Sequence, residues 1–149
     1  MAGRSTGSLG VLDKHRAELA VFENLDKGEL LDLNRELALA QPDAIEISVR
    51  FFCAETRGNW HGRSRAMMAR KFKHVPPSDT QATRLVDTIL NRLATGTFAE
   101  QFRDELRLAL TLDRKRTLAQ AQSAVESKRA HIHRMAKWVL SHEKPAQDA

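Results

Sequence analysis

Residues 57–75 read RGNWHGRSRAMMARKFKHV, and nowhere else does the chain separate charge so sharply. The stretch holds six arginines and lysines and no acid; the nearest acids are Glu55 before it and Asp79 after it. At about 100° per residue, Met68, Phe72 and Val75 fall on one side of a helix. The opposite side is cationic and carries Arg63, Arg70, Lys73 and His74. We therefore predict an amphipathic helix, with Asn59 as its N-cap.

The cationic side of this helix lacks the i,i+4 acids that usually neutralise such a surface. We expect it to contact a negatively charged partner. A solvated helix face, or neutralisation by the acidic first third of the chain, are the alternatives. A second cationic helix face is predicted near the C-terminus. The residues expected to contact the partner are Arg57, Arg63, Arg65, Arg70, Lys71, Lys73, Arg134 and Lys137.

The tetrapeptide 59–62, Asn-Trp-His-Gly, places a polar, an aromatic and a titratable side chain at a predicted helix start. Asn59, Trp60 and His61 could line a small pocket, helped by the free N–H groups of the first turn. The alternative is a capped helix whose tryptophan packs on a neighbour. Apart from this trio, we expect the aromatic side chains, Trp138 included, to be internal, which favours contacts to a phosphate backbone over base stacking.

Length and composition are those of one globular domain. The chain has 149 residues, 42% of them hydrophobic and 29% charged, with a formal net charge of +5. We expect a flexible lead at 1–8, an all-helical domain at 9–142 and a flexible tail at 143–149. A single cysteine excludes an internal disulfide framework and favours the cytoplasm. No apolar run approaches the roughly 20 residues that span a bilayer, so we expect no membrane association.

Apolar periodicity predicts about seven helices and no sheet. We also predict capping boxes at Asp26/Glu29, Ser78/Gln81 and Thr97/Glu100, and a C-terminal cap at Gly96. The predicted helices run from Leu9 to Leu25, Asp26 to about Ala40, Ala44 to Ala54, Asn59 to Val75, Ser78 to Gly96, Thr97 to Asp113, and Arg114 to Ser141. Residues 44–54 also alternate like a strand, but we find no second strand to pair with them. In the last helix Lys128 interrupts the apolar seam, so it snorkels, pairs with an acid, or marks a bend near Ser127.

The predicted helices form hairpins that begin near residues 10, 43, 79 and 114, a spacing of roughly 35 residues. This spacing favours stacked helical hairpins, as in a short α-solenoid. A compact orthogonal bundle is the alternative.

Catalytic and metal-binding signatures are missing from the sequence. Cys53 lies in an apolar setting, which favours a core thiol. His131 and His133 fall about 200° apart on a helix and cannot share a metal by themselves. We predict no metal, no cofactor and no catalytic residues. An enzyme would require a pocket that gathers His61, Arg65 and an acid such as Glu55.

These observations favour a non-enzymatic helical protein that contacts an acidic macromolecule through its basic helix face. Nucleic acid is the first choice of partner and an acidic protein surface the second. The alternative function is a protein–protein interaction adaptor or a self-associating scaffold, which would form a homo-oligomer. Such a protein should expose an apolar patch and bind with little dependence on salt.

Overall fold

A computed structural model describes residues 16–99 and 101–143. Within these residues the predicted all-α class is confirmed, with eight helices and no strand. The helices are α1 (16–23), α2 (Lys27–Ala38), α3 (Pro42–Cys53), α4 (His61–Phe72), α5 (Asp79–Thr95), α6 (Phe102–Leu112), α7 (Arg114–Ala124) and α8 (Ala130–Leu140). The predicted lead at 1–8 and all but the first residue of the predicted tail lie outside the described residues.

Capping residues set the starts of α2 and α5. Asp26 accepts a hydrogen bond from the backbone N–H of Glu29, whose side chain accepts one from Asp26 in return. Ser78 and Gln81 form the same reciprocal pair at the start of α5. At the other end of α5, Gly96 has a φ of 76° and stops the helix in the left-handed conformation. All three signals were predicted from the sequence.

Residues 44–54 are helical, as predicted, because α3 has a wide buried face. Val49, Phe51 and Phe52 are all inaccessible to solvent. Helix α3 packs against α2, α4 and α5, so two adjacent phenylalanines can both be buried. The alternation of apolar and polar residues in this segment therefore reflects a helix that is buried on several sides, and not a β-strand.

The chain forms two helices instead of one between Arg114 and Ser141, and the break includes Ser127, near which a bend was one of the predicted alternatives. Helix α7 ends at Ala124 and α8 begins at Ala130. Between them the Ser127 hydroxyl accepts a hydrogen bond from the Arg129 N–H, and Lys128 is exposed. The break takes the Lys128 charge out of the seam that a continuous helix would have buried.

Two other predicted helix starts differ from the structure. Asn59 does not cap α4; Trp60 occupies the N-cap position, with a φ of 72° and no capping hydrogen bond from its side chain. Helix α6 begins at Phe102 rather than near Thr97, and its N-cap residue, Gln101, makes no side-chain cap. The predicted capping box of Thr97 and Glu100 involves Glu100, which lies outside the described residues.

The helices pack in two rows that follow the chain. Helices α2, α4 and α6 lie side by side in one row, and α3, α5 and α7 form the other. Helix α8 departs from this order, since it packs chiefly on α7 and α5. The core between the rows includes the fully buried side chains of Leu37, Phe52, Met68, Leu93 and Leu106. This packing is consistent with a compact bundle, the alternative to stacked hairpins.

Substitution of Gly96 by alanine should destabilise the fold. A Cβ there would lie 2.6 Å from Nε2 of His131, and alanine is disfavoured at positive φ. We expect a loss of about 1–2 kcal/mol in the free energy of unfolding, measured by urea denaturation. The control is Gly28→Ala in α2, where a Cβ meets nothing closer than 3.5 Å. It should be neutral or stabilise by up to about 1 kcal/mol. Equal losses in both variants would contradict the prediction.

Glu46 should make stability depend on pH, because it ties α3 to α5. A hydrogen bond from Gln81 is the main cause that lowers the pKa of Glu46; partial burial opposes it, and Arg84 and Arg50 lower it further. A carboxylate with a lowered pKa stabilises the fold above its unfolded pKa, and this stabilisation disappears as the pH falls through the folded pKa.

Glu46→Gln should therefore lower the free energy of unfolding by about 0.5–1 kcal/mol near neutral pH. At pH values below the carboxylate range, the variant and the natural protein should be equally stable. Urea denaturation across this range measures both. Glu36→Gln serves as the control, because the Glu36 side chain is exposed and makes no ion pair among the described residues. A Glu46→Gln deficit that persists in acid would refute the electrostatic explanation.

Candidate functional site

His61, at the start of α4, is buried and joins two other segments of the chain. Its Nδ1 lies 2.7 Å from the Thr56 hydroxyl oxygen, and its Nε2 lies 2.9 Å from the Leu25 carbonyl oxygen. A carbonyl can only accept, so Nε2 donates to the Leu25 carbonyl oxygen, and Nδ1 forms the hydrogen bond with the Thr56 hydroxyl. This arrangement fixes the loop between α3 and α4.

Arg65 points inward to the same loop. Its guanidinium donates hydrogen bonds to the Thr56 hydroxyl, at 2.9 Å, and to the Thr56 carbonyl oxygen, at 3.1 Å. The Thr56 hydroxyl thus forms hydrogen bonds with both His61 and Arg65. Burial, together with the charge of Arg92, lowers the pKa of the Arg65 guanidinium. Arg65 therefore differs in its surroundings from the exposed cations, with which it was predicted to contact the partner.

A cavity of about 390 Å³ opens beside Arg65, between the loop and the start of α6. Arg65, Arg92, Glu55 and Glu105 line it, together with Thr56, Phe98 and Phe102. An enzyme was expected to need a pocket with His61, Arg65 and Glu55; two of these line the cavity, and His61 lies behind Thr56.

Arg92 of α5 holds the inner end of this cavity through a buried network. Its guanidinium lies 2.9 Å from Glu55 and 2.8 Å from Glu105, and it donates to the Phe52 carbonyl oxygen at 2.6 Å. Burial raises the pKa of Glu105, while the charge of Arg92 opposes that rise. The network joins α5 to the end of α3 and to α6.

The cations predicted on α4 fall into three groups. Arg57, Arg63 and Lys73 are exposed and form no ion pair among the described residues. Arg70 is also exposed, and its guanidinium lies 2.8 Å from the Asp104 carboxylate of α6. Lys71 is half-buried, and burial, with the adjacent Arg70, lowers its pKa.

Within the described chain, no acid of the first third forms an ion pair with the basic helix, although the Glu23 carboxylate accepts a hydrogen bond from the Arg57 backbone N–H at 2.9 Å. Helix α2 packs against α4, yet no ion pair joins the two helices. The α2 acid Asp32 instead pairs with Arg35 on the same helix, at 2.7 Å. The exposed cations of α4 remain available to a partner, apart from Arg70.

Helix α6 connects the basic faces of α4 and α8 through arginines that the sequence analysis did not select. The guanidinium carbons of Arg103 and Arg107 lie 5.5 and 5.1 Å from the ring centroid of Trp138 on α8. Arg103 and Arg134 line one shallow groove. We call the surface formed by Arg70, Arg103, Arg107, Arg134 and Trp138 the basic band. Lys137 is exposed one helical turn from Arg134.

The sequence signal for this connection was the i,i+4 spacing of Arg103 and Arg107, which places both on one face of α6. Trp138 was expected to be internal, but it is only half-buried.

The predicted trio at 59–61 does not share a pocket. Asn59 is exposed, whereas His61 is buried against Thr56. Trp60 is half-buried, with the Lys27 ammonium 4.4 Å and the Arg63 guanidinium 4.8 Å from its ring centroid. Trp60, like Trp138, therefore has two cations close to its ring.

Cys53, His131 and His133 make contacts that are typical of residues with a structural role. Burial raises the pKa of the Cys53 thiol, which lies 3.7 Å from the Arg84 carbonyl oxygen. His131 contacts the Gly96 carbonyl oxygen and His133 contacts that of Val125. In the part of the chain that the structure describes, histidine, cysteine and acidic side chains form no group of three suited to a metal. None of the described helices is long and apolar enough to cross a bilayer.

Comparison of the chain with protein-family models, curated proteins and solved structures finds no match.

Replacement of Arg92 by methionine should destabilise the fold severely. The change leaves Glu105 buried without its 2.8 Å counter-ion and removes the donor to the Phe52 carbonyl. Removing one member of a buried pair costs about 3–5 kcal/mol. Arg35→Met is the control, because the pair of Arg35 with Asp32 is exposed and should contribute about 0–1 kcal/mol. Urea denaturation of the two variants tests this, and similar small losses would contradict it.

Proposed function

We propose that this protein binds nucleic acid through the basic band, in a non-enzymatic role and in the cytoplasm. The observation that carries the proposal is the position of α6. Its arginines Arg103 and Arg107 lie against Trp138 of α8, and its Asp104 pairs with Arg70 of α4. The basic faces of two helices distant in sequence thus become parts of one surface.

The charge balance of the band supports an anionic partner. Four arginines contribute to it, and Asp104 is the acid that pairs with them among the described residues, at 2.8 Å from Arg70 and 3.3 Å from Arg107. Arg103 and Arg134 form no ion pair within the described chain. Arginine presents a planar fork of donors that matches phosphate oxygens. A phosphate near Arg103 and Arg134 would therefore meet unpaired donors.

The half-buried Trp138 favours nucleic acid over an acidic protein. Nucleic-acid surfaces often combine cations that follow the backbone with aromatic rings or guanidinium planes that stack on bases. Trp138 lies near Arg103 and Arg107, and Trp60 lies near Lys27 and Arg63. An acidic protein would use the charges but would gain little from the aromatic rings.

Binding to labelled single- and double-stranded DNA and RNA should weaken steeply with salt. We expect dissociation constants of about 10⁻⁶ to 10⁻⁴ M near physiological salt, as for sequence-independent contacts. The double variant Arg103→Gln/Arg134→Gln should bind more weakly. It should also reduce the slope of log K against log salt by about 2, one for each lost phosphate contact. Fluorescence anisotropy measures both quantities.

The matched control is Arg35→Gln/Arg116→Gln, which removes the same charge from exposed arginines on α2 and α7. Each of these arginines is paired with an acid on the surface, at 2.7 and 2.8 Å. The control should keep its salt slope. Equal losses in both double variants would show attraction to net charge alone, and absence of binding at low salt would refute the proposal.

A second candidate function, a protein-interaction adaptor, is favoured by an apolar groove among α1, α2 and α3. Val21 is 61% exposed and Ile47 is 41% exposed, and both line this groove of about 500 Å³ with Phe22, Leu25 and Leu33. An adaptor or self-associating scaffold would bind through this surface by apolar burial. Its association should depend little on salt, which separates it from the nucleic-acid proposal.

A further inference from the structure

The cavity beside Arg65 has the chemistry of a small-molecule site. Its volume of about 390 Å³ lies within the range of about 300–1,000 Å³ that is usual for such sites. Its polar groups come from the loop between α3 and α4 and from the helices, and its apolar wall comes from Phe98 and Phe102. These two rings stack with their centroids 4.4 Å apart.

Arg65 enters this cavity with hydrogen-bonding capacity to spare. A guanidinium has five N–H donors, and Thr56 accepts from two of them. No other hydrogen-bond acceptor among the described residues contacts Arg65. Three N–H groups therefore have no acceptor among the described residues.

The charge of Arg65 also lacks a counter-ion in contact with it. No carboxylate of the described chain lies within ion-pair distance of Arg65, although the more distant Glu105, Glu55 and Glu23 favour its charge; Arg92, by contrast, has two carboxylates in contact. A cation removed from water without a partner is costly, so such a group marks a place where an anion is stabilising.

We propose that this cavity binds a small organic carboxylate, with the carboxylate on Arg65 and the apolar part of the molecule against Phe98 and Phe102. This site adjoins the groove of Arg103 and Arg134, with which it shares Phe98 and Ala99, and its ligand goes beyond nucleic-acid binding. A carboxylate offers two oxygens to the guanidinium fork, in a geometry suited to paired hydrogen bonds.

The acids of the cavity favour a single negative charge over phosphate. Glu55 and Glu105 line the same space as Arg65 and Arg92. A phosphate dianion would face both carboxylates, and this repulsion would offset much of its attraction to Arg65. A monoanion with an apolar body meets one free cation and the phenylalanine wall.

Sodium benzoate is a suitable probe, since it joins a carboxylate to an aromatic ring. We expect saturable shifts of the Gly58, Gly62 and Thr97 amide signals in nitrogen–proton NMR spectra at constant ionic strength. The dissociation constant should be about 1 mM or lower. Benzyl alcohol, which lacks the charge, and inorganic phosphate should each bind at least about tenfold more weakly.

Two variants test the assignment in different ways. Arg65→Gln should weaken benzoate binding by about tenfold or more. Gly62→Leu keeps every charge but fills the cavity, and it should also abolish binding. A Cβ on Gly62 meets no atom closer than Gln101 Oε1, at 3.8 Å, so the helix can accept a side chain there. Dispersed amide signals confirm that each variant is folded.

The matched control is Arg63→Gln, which removes the same charge from the same helix at an exposed position outside the cavity. It should bind benzoate as the natural protein does, within about twofold. Unsaturable shifts, or equal affinity in Gly62→Leu or Arg65→Gln, would overturn the proposal. Equal weakening by Arg63→Gln would also overturn it, by showing attraction to net charge alone.

Discussion

The buried charge of Arg92 is the constraint on which the arrangement of this protein depends. Its guanidinium is almost entirely removed from water, and the chain meets its hydrogen-bonding demand with Glu105, Glu55 and the Phe52 carbonyl. These partners come from α6, from the loop after α3 and from α3 itself. A buried cation tolerates few alternative arrangements, since each lost partner leaves a charge unsatisfied. The relative positions of α3, α5 and α6 are accordingly restricted by one side chain.

This restriction determines where functional groups can appear. Because α6 is held against α4 and α5, its outer face lies between the two basic helices, and Arg103 and Arg107 reach Trp138. On the inner side, the same placement opens the cavity in which Arg65 has no counter-ion in contact. Surface band and inner cavity thus share one framework. The partners that we propose for them differ, a polyanion for the band and a small monoanion for the cavity.

Local signals in the sequence predicted the helices well, but side-chain contacts between helices distant in the chain could not be predicted from it. The capping pair of Ser78 and Gln81 depends on residues only three positions apart, and the structure contains the predicted hydrogen bonds. The break between α7 and α8 was harder, because the apolar seam continues in register across it and only Lys128 disagrees. Arg92 looks like any polar helix residue, since its acids lie at other positions in the chain. Arg65 was likewise predicted to be an exposed cation, because its hydrogen bonds to Thr56 depend on the tertiary fold.

The two-row packing of the helices has a kinetic consequence. Most contacts join helices that are neighbours or next neighbours along the chain, which keeps the average sequence separation of contacts low and favours rapid folding. The Arg92 network requires α3, α5 and α6 to be already in place, with its bond to Phe52 spanning 40 positions. We expect it to form after the transition state for folding. The network would then slow unfolding and lengthen the lifetime of the native state, with little effect on the folding rate.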